Sequence, residues 1–205
     1  MTVTRTRSPL SFDTTDPDSY YPLVPSAEDV RIEGSTLTNT SGYSSTIQFD
    51  PVIKSGICRL ELLNIKNLQG FGIADESAKF SRNQMPQQIA QGDSKVVYYE
   101  FCQGLIHHKG EWISGNSGIK EASSVIMELN MNSSPRTLSF YVDGVEQKNY
   151  ITYIPPAVRF WAYLQLKNSS FKVIDFMQIS YPIAKHKEGS VSWEWGQKWK
   201  QIEVN

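Results

Sequence analysis

The sequence predicts an all-β fold built as a sandwich of two antiparallel sheets. From residue 30 onward, apolar and polar residues alternate with a period of two. The alternating runs are four to nine residues long, and Gly, Pro, Asn, Asp or Ser bounds each of them. β-Branched and aromatic residues are frequent inside the runs, as is typical of strands. Hydrophobic residues make up 40% of the 205 residues, which is enough for one sizeable core.

Eight runs carry the strand pattern, at the spacing expected of a sandwich. They are residues 45–50, 57–65, 70–75, 95–101, 124–131, 136–142, 158–166 and 171–179.

The alternation assigns one face of each strand to the core. Ile47 and Phe49 share a face of the first run, and Leu60 and Leu62 share a face of the second. The third run is short and punctuated by glycine, and the fourth is β-branched and aromatic. Residues 77–91 follow the third run, and Pro86 interrupts their weak helical pattern. We expect a long loop there, with at most one helical turn.

The fifth and sixth runs are predicted to form a hairpin. Residues 132–135, Asn-Ser-Ser-Pro, make a turn-rich link, and Asp143-Gly144 indicates the next tight turn. Arg136 and Asp143 stand at opposite ends of the second strand, about 23 Å apart, so they cannot form one site. The predicted core face of that strand consists of Leu138, Phe140 and Val142.

The two ends of the chain differ from the middle. Residues 1–28 are rich in Thr, Ser, Asp and Pro and predict a flexible or surface-draped arm. Residues 29–183 are the predicted sandwich domain. Residues 184–205 form a tail with three of the five tryptophans, and its "VSWEW" stretch fits an added strand at an open sheet edge. We expect the tail to dock on the sandwich, with a partner-binding segment as the alternative.

Composition argues against several classes of protein. The net charge is −1 and no long basic block occurs, so no nucleic-acid partner is expected. No apolar run approaches the ~18 residues that a membrane helix needs, and the start lacks the apolar part of a secretory signal. Two cysteines without such a signal favour reduced thiols and a cytoplasmic, intracellular location.

The sequence also lacks the patterns of catalytic and metal sites. A glycosidase needs two nearby carboxylates, but Glu61, Glu100 and Glu128 stand alone on their strands. His107 and His108 are adjacent and would point to opposite faces of a strand, so they would not chelate a metal together. No nucleophile elbow, phosphate loop or dinucleotide fingerprint occurs. We therefore expect no catalytic residue, metal or cofactor.

Four stretches, in the right order, carry a family resemblance. "VIMELNMNSSPRTLSFYVDG" resembles the paired central strands of SPRY domains. "GFGIADES", "YYEFCQGLIHHKGEW" and "YIPPAVRFWAYLQLKNSSFKVIDF" resemble other segments of that family, and together the match spans roughly residues 45–180. Many members carry an aromatic-Trp-Glu sequence where this chain has "GICRLELL", so it resembles a divergent member.

The resemblance implies a concanavalin-like jelly roll that acts as a non-catalytic protein-binding module. Loops at one edge of such a sandwich grip a short segment of a partner protein. We keep two alternatives: a glycan-binding or glycan-cleaving sandwich, and a structural subunit of a larger assembly.

By resemblance, the partner-binding residues fall in the long loop and near the start of the run 158–166. The alternation there assigns Val158 and Phe160 to the core and places Arg159 and Trp161 on the other face, where they are either exposed or covered by a loop or the tail. Trp112 is a further candidate, either as a wall of the site or as packing. The predicted partner-binding residues are Arg82, Asn83, Gln84, Met85, Trp112, Arg159 and Trp161.

Overall fold

The structure is a computed structural model that describes residues 19–89 and 93–199. Its strands, numbered in chain order, form two sheets. The seven-stranded front sheet has the order β1 (Tyr21–Leu23), β4 (Ser45–Ile53), β14 (Val158–Leu164), β6 (Gly70–Asp75), β7 (Val96–Glu100), β8 (Ile106–His108) and β9 (Glu111–Ile113). The nine-stranded back sheet has the order β16 (Val191–Glu194), β13 (Asn149–Thr152), β11 (Thr137–Val142), β10 (Ser124–Asn130), β5 (Ile57–Lys66), β15 (Ser170–Ile179), β3 (Thr36–Asn39) and β2 (Val30–Glu33), with β12 (Val145–Glu146) paired to β11.

This architecture confirms the predicted two-sheet antiparallel sandwich. The strand pairs in both sheets are antiparallel except for β13 with β16. Each of the eight predicted runs overlaps one strand; the strands are β4, β5, β6, β7, β10, β11, β14 and β15, and β4 continues three residues beyond its run. The strands that the periodicity did not reveal are two to four residues long, too short for a period of two to show.

The core lies between the sheets, on the faces that alternation assigned to it. Phe140 pairs with Met127 across β10 and β11, and both are fully buried. Phe71 of the front sheet packs edge-on against Phe140 at 6.0 Å and stacks on Tyr99 at 5.0 Å. Leu138 and Val142 are buried on the same face as Phe140, so the predicted facing of β11 is confirmed.

The last part of the predicted N-terminal arm belongs to the sandwich. β1 pairs with β4, and the Tyr20 ring packs against Phe49 at 5.8 Å and Phe176 at 6.1 Å. Residues 20–23 of the predicted flexible or surface-draped arm thus lie against the front sheet. A three-residue edge strand is held mostly through its backbone, so it needs no apolar pattern. Residues 1–18 of the predicted arm lie outside the described residues.

The C-terminal tail packs across an end of both sheets as far as residue 199. β16 extends the back sheet in parallel with β13. His108 of the front sheet contacts the ring of Trp195 at 4.9 Å and that of Trp199 at 5.1 Å, and its Nε2 accepts the Gly196 N–H at 2.8 Å. The tail therefore joins β8 to β13. Residues 200–205 lie outside the described residues.

A second, smaller hydrophobic cluster lies on the outer face of the front sheet. Residues 77–89 run over that face as a loop with a single 3-10 turn at Pro86–Gln88, as the proline predicted. A second 3-10 turn, Asp93–Lys95, leads into β7. The loop residues Ala78, Phe80 and Ile89 pack against side chains of the sheet, which are Ala74, Val96, Tyr98, Trp161 and Tyr163. This loop decides which outer-face residues meet solvent.

Candidate functional site

The predicted binding residue Trp161 is fully buried. Its ring stacks on Tyr98, with centroids 5.6 Å apart and planes 26° from parallel, and contacts Phe80 of the loop at 6.2 Å. Alternation placed Trp161 correctly on the non-core face of β14. Of the two alternatives for Trp161, exposed or covered, the structure has the covered one, because the loop of residues 77–89 lies over it.

Gly72 makes room for this stack. It lies between Trp161 and Tyr98 in the register of the sheet. A Cβ atom at Gly72 would come within 1.8 Å of the Val97 carbonyl oxygen and 3.1 Å of Trp161 Cζ2. Only glycine fits at position 72, so this glycine of the run 70–75 allows the Trp161 and Tyr98 rings to pack.

The Arg159 side chain is also held by hydrogen bonds within the fold. Its Nε donates a 2.5 Å hydrogen bond to Asp50 Oδ1, and its Nη1 donates to the Glu76 carbonyl at 3.1 Å. The opposite end of β14 contacts the start of β4, where the Tyr163 hydroxyl donates to Ser44 Oγ at 3.0 Å. Arg159 and Tyr163 are four residues apart on one strand, about 13 Å. Arg159 therefore lies well away from the Ser44 end of the sheet.

Trp112 is exposed, to 51%, at another place. It belongs to β9, the edge of the front sheet, in a cross-strand row with His107, Tyr98, Gly72 and Trp161. Four strand spacings separate Trp112 from Trp161, roughly 19 Å. Burial lowers the pKa of His107, and the nearby charge of Glu100 opposes that shift. The structure thus does not bring Trp112 together with Arg159 or Trp161.

Arg82 is held in a fixed and partly exposed position. Its Nε and Nη2 donate to the two carboxylate oxygens of Asp29, at 2.6 Å and 2.9 Å. Its guanidinium lies over the Tyr43 ring, 4.7 Å from the centroid, and 3.8 Å from the Glu28 carboxylate. The hydrogen bond from Arg82 lowers the pKa of Asp29, which is 1% exposed. Asp29 and Tyr43 therefore fix the guanidinium on two sides.

The amides of Asn83 and Gln84 organise the loop. Asn83 adopts a positive φ of 57°, its N–H donates to the Ser44 carbonyl, and its Oδ1 accepts the Ser44 N–H. Gln84 Oε1 accepts the Ser81 N–H, and Gln84 Nε2 donates to the Gln88 carbonyl. Asn83 therefore holds the loop against Ser44, next to the start of β4, and Gln84 links two parts of the loop itself.

Exposed side chains at this end of the sandwich include a ring, a guanidinium, a thioether and a carboxylate. Tyr43 is 48% exposed, and the Arg82 side chain is exposed to a similar extent. Met85, three residues further along the loop, is also exposed, and the Glu28 carboxylate flanks Arg82. We call Glu28, Tyr43, Arg82 and Met85 the Tyr43–Arg82 surface.

Sequence reasoning missed Tyr43 and Asp29. Tyr43 stands in "SGYSS", where an aromatic residue between turn-forming residues signals an exposed ring on a loop. Asp29 gives no such signal, because only the fold brings it to Arg82, 53 residues away.

The facing carboxylates Glu61 and Asp175 of the back sheet have no room for a substrate beside them. Glu61 faces Asp175 across β5 and β15, and Glu61 accepts a 2.6 Å hydrogen bond from Ser124 Oγ. The depression beside them has a volume of about 20 Å³, enough for a single water molecule. Within residues 19–89 and 93–199, no three His, Cys, Asp or Glu side chains gather into a possible metal site. In the same residues no helix is long and apolar enough to cross a bilayer.

Comparison with known proteins gives matches among solved structures. No family model and no curated protein matches the chain. The SPRY domain of human HERC1 aligns with a TM-score of 0.54 and 16% sequence identity, covering 80% of this chain and 98% of that one. The PSpry domain of TRIM65 aligns with a TM-score of 0.54 and 10% identity, covering 71% of this chain and 85% of that one.

A carbohydrate-binding module, CBM66 from Bacillus subtilis, aligns less well. Its TM-score is 0.46 at 7% identity, and the alignment covers 76% of this chain and 92% of that one. The two SPRY structures, the ordered strands and the paired sheets together show that this chain has a divergent SPRY-like fold.

Proposed function

We propose that this protein is a non-catalytic protein-interaction module that binds a short segment of a partner protein at the Tyr43–Arg82 surface. The observation that carries the proposal is the half-exposed Arg82 guanidinium, held between the buried Asp29 carboxylate and the Tyr43 ring. The SPRY-like fold supports the proposal, because the resemblance implies binding by loops at one edge of the sandwich.

The chemistry of this surface suits peptide recognition. A guanidinium has five N–H donors in a fixed fork, and Asp29 occupies two of them. The other donors are available for a partner's carbonyl or carboxylate oxygens. Tyr and Arg are enriched among the residues that dominate binding energy, and Met adapts to different side chains.

The positions of the contact residues reduce the entropy cost of binding. The Asp29 ion pair and the Tyr43 ring already restrict Arg82, and the Asn83–Ser44 hydrogen bonds restrict the loop that carries it. Side chains fixed before binding lose less freedom when a partner arrives. In this proposal Asn83 and Gln84 shape the surface, and Trp161 supports the loop from beneath. Trp112 is a candidate for a separate contact.

The test compares a double variant of this surface with a single variant that truncates an exposed ring elsewhere. Tyr43→Ala/Met85→Ala removes two exposed side chains from the surface, and Tyr153→Ala removes an exposed ring elsewhere. Each protein is used to recover partners from native cell lysate, with quantitative mass spectrometry. Excess free wild-type protein should displace a true partner from the wild-type protein that recovered it, and so should excess free Tyr153→Ala protein. The double variant should not displace it.

Calorimetric titration of the recovered partner then measures the loss. We expect the double variant to weaken binding by about 2 kcal/mol or more, roughly 30-fold, with unchanged circular dichroism. Equal affinity of the double variant and the wild type would place the binding surface elsewhere.

A further inference from the structure

A strap crosses the outer face of the back sheet. It consists of residues 183–187, and two carboxylates hold its backbone. Glu128 Oε1 accepts the N–H groups of Ile183 and Ala184 at 2.9 and 3.0 Å. The Glu146 carboxylate accepts the N–H groups of Lys185 and His186, at distances from 2.9 to 3.1 Å. Charge-assisted hydrogen bonds of this kind are among the stronger ones in proteins.

The His186 ring fixes the strap on neighbouring strands. It stacks on Tyr150 of β13, with centroids 3.7 Å apart and planes 9° from parallel. Its Nε2 lies 2.8 Å from Ser139 Oγ of β11. The strap thus contacts β10, β11, β12 and β13, and these contacts fix its position above the sheet.

A groove lies between the strap and the turn that joins β11 to β12. Its volume is about 640 Å³, within the range of ligand-binding pockets. Tyr141 lines it, together with Val145, which is 63% exposed, and Ile183 of the strap, which is also exposed. Burial raises the pKa of Tyr141, and the charges of Glu128 and Glu146 raise it further. Tyr141 therefore stays neutral and adds an apolar ring to the lining.

The rim of the groove carries an excess of positive charge. Lys148, Lys185 and Lys187 line it, and none of them forms an ion pair with residues 19–89 or 93–199. Of the two acids that line it, Glu146 already accepts hydrogen bonds from the strap, and Glu188 is the other. With three lysines and two glutamates the lining has a net charge of +1, whereas the chain as a whole has a net charge of −1.

We infer that this groove binds an acidic peptide segment of a partner protein, with an aliphatic side chain between its carboxylates. The carboxylates pair with the three lysines, and the aliphatic side chain packs against Val145, Ile183 and Tyr141. Charge complementarity of this kind sets specificity and association rate. The prearranged strap lowers the ordering cost, since its backbone is already hydrogen-bonded. The groove shares no residue with the Tyr43–Arg82 surface, so this inference stands independently of that one.

The probe is a fluorescein-labelled peptide, Glu-Asp-Glu-Leu-Glu-Asp-Glu, titrated with the full chain and followed by fluorescence anisotropy. Two further peptides serve as controls, one with lysine for each acid and one with serine for leucine. We expect saturable binding of the acidic leucine peptide, weaker binding of the serine peptide and none of the lysine peptide. Rising salt should weaken the binding, because the ion pairs lie at the surface.

Charge reversal locates the site. Lys185→Glu/Lys187→Glu should weaken binding at least about tenfold, as expected for loss of electrostatic complementarity. The matched control, Lys79→Glu/Lys167→Glu, changes the net charge equally at exposed lysines outside the groove and should bind within about twofold of the wild type. Val145→Ser tests the apolar wall in the same assay without a change of charge, and it should weaken binding of the leucine peptide, since this exposed residue of β12 tolerates a polar side chain.

Three results would overturn the inference: no saturable binding of the acidic peptide, equal weakening by both double variants, or equal binding of a single-stranded oligonucleotide and the peptide. Tyr43→Ala/Met85→Ala should bind the probe like the wild type. Loss of binding in that variant would instead assign the peptide to the Tyr43–Arg82 surface.

Discussion

Arg82 holds the carboxylate of Asp29 with two hydrogen bonds, one of 2.6 Å from Nε and one of 2.9 Å from Nη2. Asp29 immediately precedes β2 of the back sheet, and Arg82 lies in the loop that covers the front sheet. The pair therefore ties the two layers together at the end of the sandwich that carries Tyr43. Because Asp29 is buried, loss of Arg82 would remove the cation that balances its charge and leave only hydrogen bonds from Ser41 and Ser26.

The first prediction concerns pH. Arg82→Gln should lower Tm at neutral pH, and its deficit relative to the wild type should shrink as pH falls below about 4, the ordinary Asp pKa. The folded protein holds the pKa of Asp29 below its unfolded value, with the Arg82 hydrogen bond as the main cause. The stabilisation is thus present above the unfolded pKa and is lost as pH falls through the folded pKa.

Thermal melts of both proteins from pH 7 downward measure this difference. Arg31→Gln is the control, since Arg31 and Glu33 form a 3.4 Å pair that is exposed on both sides. Its deficit should be small at every pH. A deficit of Arg82→Gln that stays constant down to pH 3 would show that Arg82 acts through packing.

The second prediction concerns the covered tryptophan. Trp161→Ala should lower the free energy of unfolding by roughly 3–5 kcal/mol, because it empties the space between Tyr98 and the loop. Trp112→Ala, at the exposed edge, should cost less than about 1 kcal/mol. Urea unfolding followed by circular dichroism measures both. Similar costs for the two tryptophans would mean that the loop does not seal Trp161.

The third prediction concerns the facing of β11. Phe140→Ala should cost roughly 3–5 kcal/mol, since its ring packs against Phe71 and Tyr99 between the sheets. Thr137→Ala, on the opposite face and only partly buried, should cost less than about 1 kcal/mol. The same urea titration applies. If Thr137→Ala cost more free energy of unfolding than Phe140→Ala, the assigned facing of β11 would be off by one residue.

The fourth prediction concerns the C-terminal tail. Trp199→Ala should cost about 3 kcal/mol or more, because Trp199 is buried against His108 and Trp193 and its indole N–H donates to the Glu194 carbonyl at 2.8 Å. Tyr181→Ala, at a ring that is largely exposed, should change stability by less than about 0.5 kcal/mol. Equal costs would show that the tail contributes little to the fold.

The sequence by itself determined the long strands and the inward face of each. Side chains of a strand alternate between two faces, so the residues of 57–65 or 136–142 report their own facing without knowledge of any partner. The turn residues at 132–135 and Asp143-Gly144 likewise act locally, and β10 and β11 end beside them. Alternation does not identify short edge strands such as β1 and β12, because they pair through only two or three residues.

The tertiary structure decided which outer-face residues are exposed. Trp161 and Trp112 face the same side of the front sheet, yet the loop covers the first and leaves the second in solvent. Arg82 and Arg159 were both predicted to contact a partner, but within the fold Asp29 and Asp50, 53 and 109 residues away in the chain, bind them. One wall of the groove beside Tyr141 is the strap, which Glu128, Glu146 and His186 hold against the back sheet. Exposure and ion pairing depend on segments distant in sequence, and no local periodicity encodes where those segments lie.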